Sequence, residues 1–246
     1  MRHPLAALGL LLVAPLAAAG DADFDINCGG TPDACRAAFA EVSEDVAAAL
    51  HFKQLAPLEA TGITGIGVGA IASYVPVKKD SAWQTLTGSD VDAIGMVGIV
   101  ANKGLPLGVD IAAFYTAIPG SGASAYGAQL RYALLEGGIA EPAIAVSANY
   151  TATNGIDDFD YDAYGVDIGI SKGFTILTPY AGAGYVWAEA QPGQSVKQTF
   201  GIDDEKVDKS RLFAGLRITL AFLELTPEYE RFGDRNVYNL RAGFSF

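Results

Sequence analysis

Histidine is almost missing from this chain, with only His3 and His51 in 246 residues. Histidine is the side chain whose ordinary charge change falls near neutral pH, so its scarcity leaves little room for His-based acid–base catalysis. Cysteine, methionine and tryptophan number 2 each. Basic residues are also few: Lys and Arg total 16 against 28 Asp and Glu, the net charge is -12, and no basic cluster occurs. That balance speaks against a nucleic-acid partner, which needs concentrated positive charge. Beyond the first 20 residues no apolar run reaches the ~18 residues of a helical membrane span. Yet the apolar fraction is 50% and glycine and tyrosine are plentiful. Hydrophobicity spread in this way suits strands better than helical spans.

The opening "MRHPLAALGLLLVAPLAAAG" has Arg2, an apolar stretch from Leu5 to Leu16, and small residues at Ala17 to Ala19. This is the layout of a secretory signal peptide over residues 1–19, cleaved near Ala19. The rival reading, an anchor, needs a longer run of ~20 residues. Cys28 is not a lipobox cysteine, because the preceding "FDIN" lacks the small and aliphatic residues of that signal. Cys28 and Cys35 in "CGGTPDAC" are expected to form a small-loop disulfide once exported. Metal binding is the alternative, but no further Cys or nearby His completes a site.

Residues 20–61 form an expected periplasmic N-terminal segment. Within it, "TPDACRAAFAEVSEDVAAALHF" starts with Thr31 and Pro32, residues suited to a helix start. Phe39, Val42, Val46, Ala49 and Leu50 make an apolar stripe, with Arg36, Glu41, Glu44 and Asp45 opposite. A lone amphipathic helix needs a surface, so it covers the periplasmic mouth of whatever follows, enters its lumen, or binds a separate partner. His51, without an acid–base companion in sequence, is expected at the surface.

From Gly62 to Phe246 the pattern has period two. Ile66, Val68, Ala70, Ala72 and Tyr74 share one face, as do Leu107, Val109, Ile111, Ala113 and Tyr115. The phase of "VDAIGMVGIVA" between them is ambiguous. Further stretches alternate likewise, such as Tyr164, Val166, Ile168 and Ile170 against Gly165, Asp167 and Gly169. The fold class expected is all-β: a closed antiparallel transmembrane β-barrel of about ten strands over residues 62–246. A secreted β-sandwich is the alternative. Links such as "NKGLP" and "SKGFT" are tight, while "PVKKDSAWQTLTGSD" and "AQPGQSVKQTFGIDDEKVDKS" are long, matching short periplasmic turns and longer external loops. Tyr74, Tyr115, Tyr126, Tyr150, Tyr164 and Tyr185 fall near the outer strand ends, where an interfacial girdle would lie.

Facing the enclosed side, Asp110, Asp167, Glu224 and Glu228 are expected to pair with Arg131, Arg217 and Arg241, since charges in a narrow lumen must be paired or solvated. Lumen glycines, among them Gly182, Gly184 and Gly215, relieve crowding in a twisted small barrel, or else leave free volume for a pore. Asp157, Asp158, Asp160 and Asp162 in "DDFDYD" are weak metal candidates on an external loop. The Gly and distant Glu of an EF-hand are missing, so a solvated acidic rim, or carboxylates sharing divalent cations with lipopolysaccharide phosphates, is the main reading.

The chain stops at "RAGFSF", with Gly243, Phe244 and the terminal Phe246 in phase with the apolar stripe. This ending resembles the C-terminal insertion signal of Gram-negative outer-membrane β-barrels, small barrels of the OmpA and OmpW kind. The resemblance rests on the strand pattern, "LTPYAGAGY" and "RAGFSF". It implies insertion by the barrel-assembly machinery and contact with outer-membrane lipid and lipopolysaccharide. Barrel enzymes of that membrane, the omptin proteases, palmitoyl transferases and phospholipases, rely on His with Ser or Asp, and no histidine follows His51 here. The expectation is therefore no enzyme and no cofactor. A structural or narrow small-solute passage role leads; the alternative is a surface binding or adhesion module acting through acidic external loops.

Overall fold

Every second side chain from Ile66 onward is exposed and its neighbours are buried, and the sheet that carries this alternation closes on itself. The computed structural model describes residues 25–119, 123–138, 140–154 and 158–246. The expected signal peptide, residues 1–19, and Asp157 lie outside the described residues. The strands are β1 (Ile66–Pro76), β2 (Ala93–Gly104), β3 (Val109–Ala117), β4 (Ser124–Glu136), β5 (Ala143–Asn154), β6 (Phe159–Ser171), β7 (Leu177–Pro192), β8 (Glu205–Leu220), β9 (Leu223–Phe232) and β10 (Arg235–Ser245). They form one closed antiparallel barrel in sequence order. The seam pairs β1 with β10, Ala70 opposite Ala242 and Tyr74 opposite Tyr238. Phe246 completes it by exchanging backbone hydrogen bonds with Ile66, 2.9 and 3.0 Å long.

The phase left open for β2 resolves with Ile94, Met96 and Val100 inside and Ile99 outside. Several strands run further than their apolar pattern. β6 begins at Phe159 and β8 at Glu205, so much of the acidic sequence read as loop is strand or lies beside one. The long links carry two short helices, α2 (Asp80–Thr87) and α3 (Gln194–Phe200). Each stops at a left-handed glycine, Gly88 with φ 79° and Gly201 with φ 65°.

The first helix, α1 (Pro32–Leu50), starts as its sequence suggests: Thr31 Oγ1 accepts from the Ala34 amide at 3.3 Å, with Pro32 in the first turn. Of its expected placements the structure shows the lumen, which its second half enters. α1 packs against α2 and the strand ends beside the long loops, at the mouth opposite the one where β1 begins and β10 ends. From there residues 51–65 descend through the lumen to the start of β1. The physical reason lies in its second half, where Val46, Ala47, Ala48, Ala49 and Leu50 are all buried. A helix apolar all round must be enclosed, and a rim contact would leave one side wet. The Cys28–Cys35 disulfide forms and clasps the turn before α1. Asn27 and Gly29 donate to the carbonyls of Leu86 and Thr85, tying that turn to α2.

Candidate functional site

Three tiers of charge fasten this threaded segment to the barrel wall. At the long-loop mouth, Arg235 on β10 binds Asp45 at 2.9 Å, Glu41 at 2.8 Å and also Glu44. Trp83 of α2 donates its indole N–H to Asp45 at 3.1 Å. Burial pushes the Asp45 carboxyl up, against the opposing pull of the Arg235 guanidinium. In the neighbouring turn, partial burial would raise Asp234, but Lys78 and Arg235 outweigh it and hold that carboxyl below its usual range.

The middle tier is dry. Glu230 on β9 lies 3.2 Å from Lys53 Nζ, 2.8 Å from His51 Nε2 and 3.3 Å from Arg211 Nε. His51 Nδ1 is 2.9 Å from the Ala47 carbonyl, and the ring stacks on Phe232 with centroids 4.9 Å apart. His51 is thus a buried core residue, which corrects the expected surface position; it ends α1 inside the lumen and has a carboxylate 179 positions away as its partner. Arg211 also reaches Asp167, at 3.4 Å.

In the lowest tier the wall grips the backbone of the extended segment. Arg131 donates to the carbonyls of Pro57 at 2.8 Å and Glu59 at 3.1 Å, while pairing with Asp110 at 2.7 Å. Asp110 in turn accepts from the Thr61 amide at 3.0 Å, and Ser171 Oγ from the Leu58 amide at 3.0 Å. Arg217 holds the Glu59 carboxylate at 2.8 Å and reaches Glu224 at 3.7 Å.

The expected lumen charges face inward, and within that set Asp110 pairs with Arg131 and Arg217 with Glu224. Asp167 takes Arg211 instead. Glu228 accepts from the Tyr180 hydroxyl at 2.8 Å and from Asn239 at 3.2 Å, and Arg241 donates to Asn102 at 3.4 Å. Sequence reasoning missed Glu230, Arg211, Arg235 and Lys53, because half of each pairing lies in the N-terminal segment or across the barrel. The acidic stretch does not converge. Asp158 accepts from the Ile26 amide at 2.5 Å, Asp160 and Asp162 occupy outward positions on β6, and no metal-holding group of three occurs among the described residues.

The glycines make room for the segment. Phe213 lies opposite Gly182, Tyr180 opposite Gly215, Asp167 opposite Gly184, and Asn149 opposite Gly165. In each pair a Cβ on the glycine would overlap the partner side chain, so the large member lies flat across its glycine. The inner wall is thereby thinned where the segment passes.

The exterior is its opposite. Val68, Ile99, Ile111, Leu130, Ile168 and Leu212 stand exposed with no charged residue among them at mid-strand. Above this belt runs a ring of tyrosines in register: Tyr115 opposite Tyr126, Tyr150 opposite Tyr164, and Tyr74, Tyr238 and Tyr229 side by side. A closed barrel with an apolar, aromatic-girdled outside and a charged inside is a structure built for hydrocarbon. The chain is a β-barrel of the bacterial outer membrane.

No family model matches the sequence of this outer-membrane barrel, and no curated protein matches it. Solved structures of similar form include the outer membrane protease OmpT from Escherichia coli, at 9% identity over 75% of this chain and 97% of that one, with a TM-score of 0.44. The KdgM porin aligns at 9% identity over 73% and 99% of the two chains, TM-score 0.37. Ail of Yersinia pestis, solved with the heparin analogue sucrose octasulfate, aligns at 15% identity over 74% and 97%, TM-score 0.29. These neighbours include a protease and a porin.

Proposed function

We propose that the protein is a plugged outer-membrane barrel with a structural, non-enzymatic role, closed to solutes while its N-terminal segment is seated. The observation that carries this is the segment's course: residues 45–53 are buried throughout, and each charge they carry meets a wall charge. Burying so many ions is stabilising only while every one is compensated, which favours a fixed plug over a loosely held one. His51, the one histidine among the described residues, is engaged at both ring nitrogens within the plug, which supports the non-enzymatic reading. The Phe246 terminus serves as the signal for the barrel-assembly machinery, and the tyrosine ring meets lipopolysaccharide at the outer interface. Refolded wild-type protein in planar bilayers tests the reading: the expected result is silence, and discrete steady conductance steps would make it a pore instead.

A second reading, surface binding, is favoured by the ordered cap at the long-loop mouth. There α1, α2 and α3 are joined through Asn27–Leu86 and Arg36–Gly201 contacts, presenting the disulfide turn outwards. Acidic carboxylates beside this cap, with divalent cations, are its expected contact points.

A further inference from the structure

The short-turn rim of the barrel exposes large apolar side chains at the β1–β10 seam and at the β2–β3, β6–β7 and β8–β9 turns: Ile63, Leu107, Phe174, Ile176, Phe222 and Phe246, while the β4–β5 turn exposes Glu136 and Glu141. Leu107 is 87% exposed and Phe222 77%, at the tips of the β2–β3 and β8–β9 turns. Leu107 is held there with φ 64°, a conformation more natural to glycine. In water a ring of this size is an aggregation hazard. Its length scale points elsewhere.

The tyrosine ring marks one boundary of the hydrocarbon. Below it, β3 runs from Tyr115 only to Val109, β6 from Tyr164 only to Ser171, and β9 from Tyr229 only to Leu223. Six or seven rises of ~3.3 Å, inclined at ~40°, cover about 15–18 Å along the membrane normal. The apolar band of an outer-membrane barrel is ~25 Å tall. β3, β6 and β9 therefore end several ångströms short, and their turn tips occupy the missing depth, whereas β4 runs ten residues below Tyr126, to Glu136.

Two further features fit such a place. The rim is continuous with the belt, since the Phe246 ring lies 5.3 Å from that of Phe244. Several backbone groups at these turns also find partners within the chain, which lowers the cost of an apolar medium. Lys103 Nζ donates to the carbonyls of Ile63, Gly65 and Gly104, Lys172 Nζ to those of Gly138 and Glu141, and Phe174 and Leu177 exchange backbone bonds of 2.7 and 2.9 Å.

We propose that the short-turn rim is a lipid-binding surface, with its turn tips immersed among the acyl chains of the inner leaflet rather than standing in the periplasm. The barrel then thins that leaflet around itself, because phospholipid must bend to keep the rim covered. This rests on the outer-membrane location and is independent of whether the lumen conducts.

Full-length Leu107→Trp and Phe222→Trp proteins, refolded at low protein-to-lipid ratio into phosphatidylcholine vesicles, test it. Wild type, carrying Trp83 and Trp187, supplies the baseline. The new indoles are expected to be quenched by bromines on the upper acyl chain and shielded from aqueous acrylamide. Indoles reached by acrylamide and untouched by bromine would overturn the proposal and leave the rim for a soluble partner or a second copy. If either variant does not fold, wild-type protein in lipid nanodiscs gives the same answer. Backbone amides at 105–108 and 220–222 then show magnetisation transfer to acyl methylenes if the proposal holds, and to water if it fails.

Discussion

On β7, Ala181, Ala183, Tyr185 and Trp187 face outward, while Thr178, Tyr180, Gly182, Gly184 and Val186 face inward. The outer row meets a fluid that accepts any apolar shape, so its members need only be apolar and, near the interface, aromatic. The inner row meets one particular segment of its own chain and is constrained atom by atom: a glycine here, a flattened ring there, a carboxylate at one height. Substitution should therefore be tolerated outside and punished inside.

Adjacent residues of β9 give the sharpest form of that contrast. Glu230 faces the plug and Tyr229 faces lipid. Glu230→Ala leaves Lys53 and Arg211 buried beside His51 without their shared counter-charge, an expected cost of about 3–5 kcal/mol. Tyr229→Ala removes an interfacial ring and one hydrogen bond to Asn236, 2.9 Å long, and should cost clearly less. Urea unfolding in detergent, followed by the heat-modifiable shift on gels, ranks the two. Equal midpoints would mean that the middle tier does not hold the plug.

Gly182 and Ala183 repeat the comparison through packing. A valine at Gly182 collides with the Phe213 ring and must push it into the plug, an overpacking cost of about 1–3 kcal/mol. Ala183→Val adds a branched side chain to the lipid face and should leave the urea midpoint near that of wild type. If Gly182→Val is equally silent, the inner wall has slack beside the segment, and a narrow solute path becomes the better reading.

The same division decided what could be read from the sequence. The outer row was legible because its rule is local: alternation alone places Ile66 through Tyr74 and Tyr164 through Ile170 on the lipid side, and the in-phase Phe246 marks the seam. The inner row was not, because its rule is long-range. Lys53 and Glu230 are 177 positions apart and Arg235 and Asp45 190 apart, so neither pair leaves a local pattern. Asp110 and Arg131, on neighbouring hairpin strands and in register, are the kind of pair that strand order can bring together. The large–glycine pairs become visible only once register is known. α2 and α3 did leave signals, Gly88 and Gly201 at their ends, but these lay in stretches dismissed as loop for their polarity. The helix placement stayed open among mouth, lumen and separate partner because its stripe alone does not choose; the unbroken apolar Val46–Leu50 run is the feature that calls for enclosure.

The smallest effect tests the edge of the plug's hold. Asp234, in the turn between β9 and β10, pairs with Lys78 and with Arg235, and its side chain is 44% exposed. Its carboxyl is held below the usual range, so the stabilisation is present in full above the ordinary carboxylate value of about 4. It fades as pH falls below that, because the unfolded chain then takes up a proton that the native turn still refuses. Solvent screening keeps the contribution under ~1 kcal/mol. Asp234→Asn retains the shape of the turn and leaves Arg235 its three partners on α1, so the variant should unfold slightly earlier than wild type from pH 7 to 5, with the gap narrowing only below about pH 4. No gap between the two proteins from pH 7 to 5 would show that the Asp234 charge contributes nothing, and that the mouth is held by Arg235 and the α1 carboxylates alone.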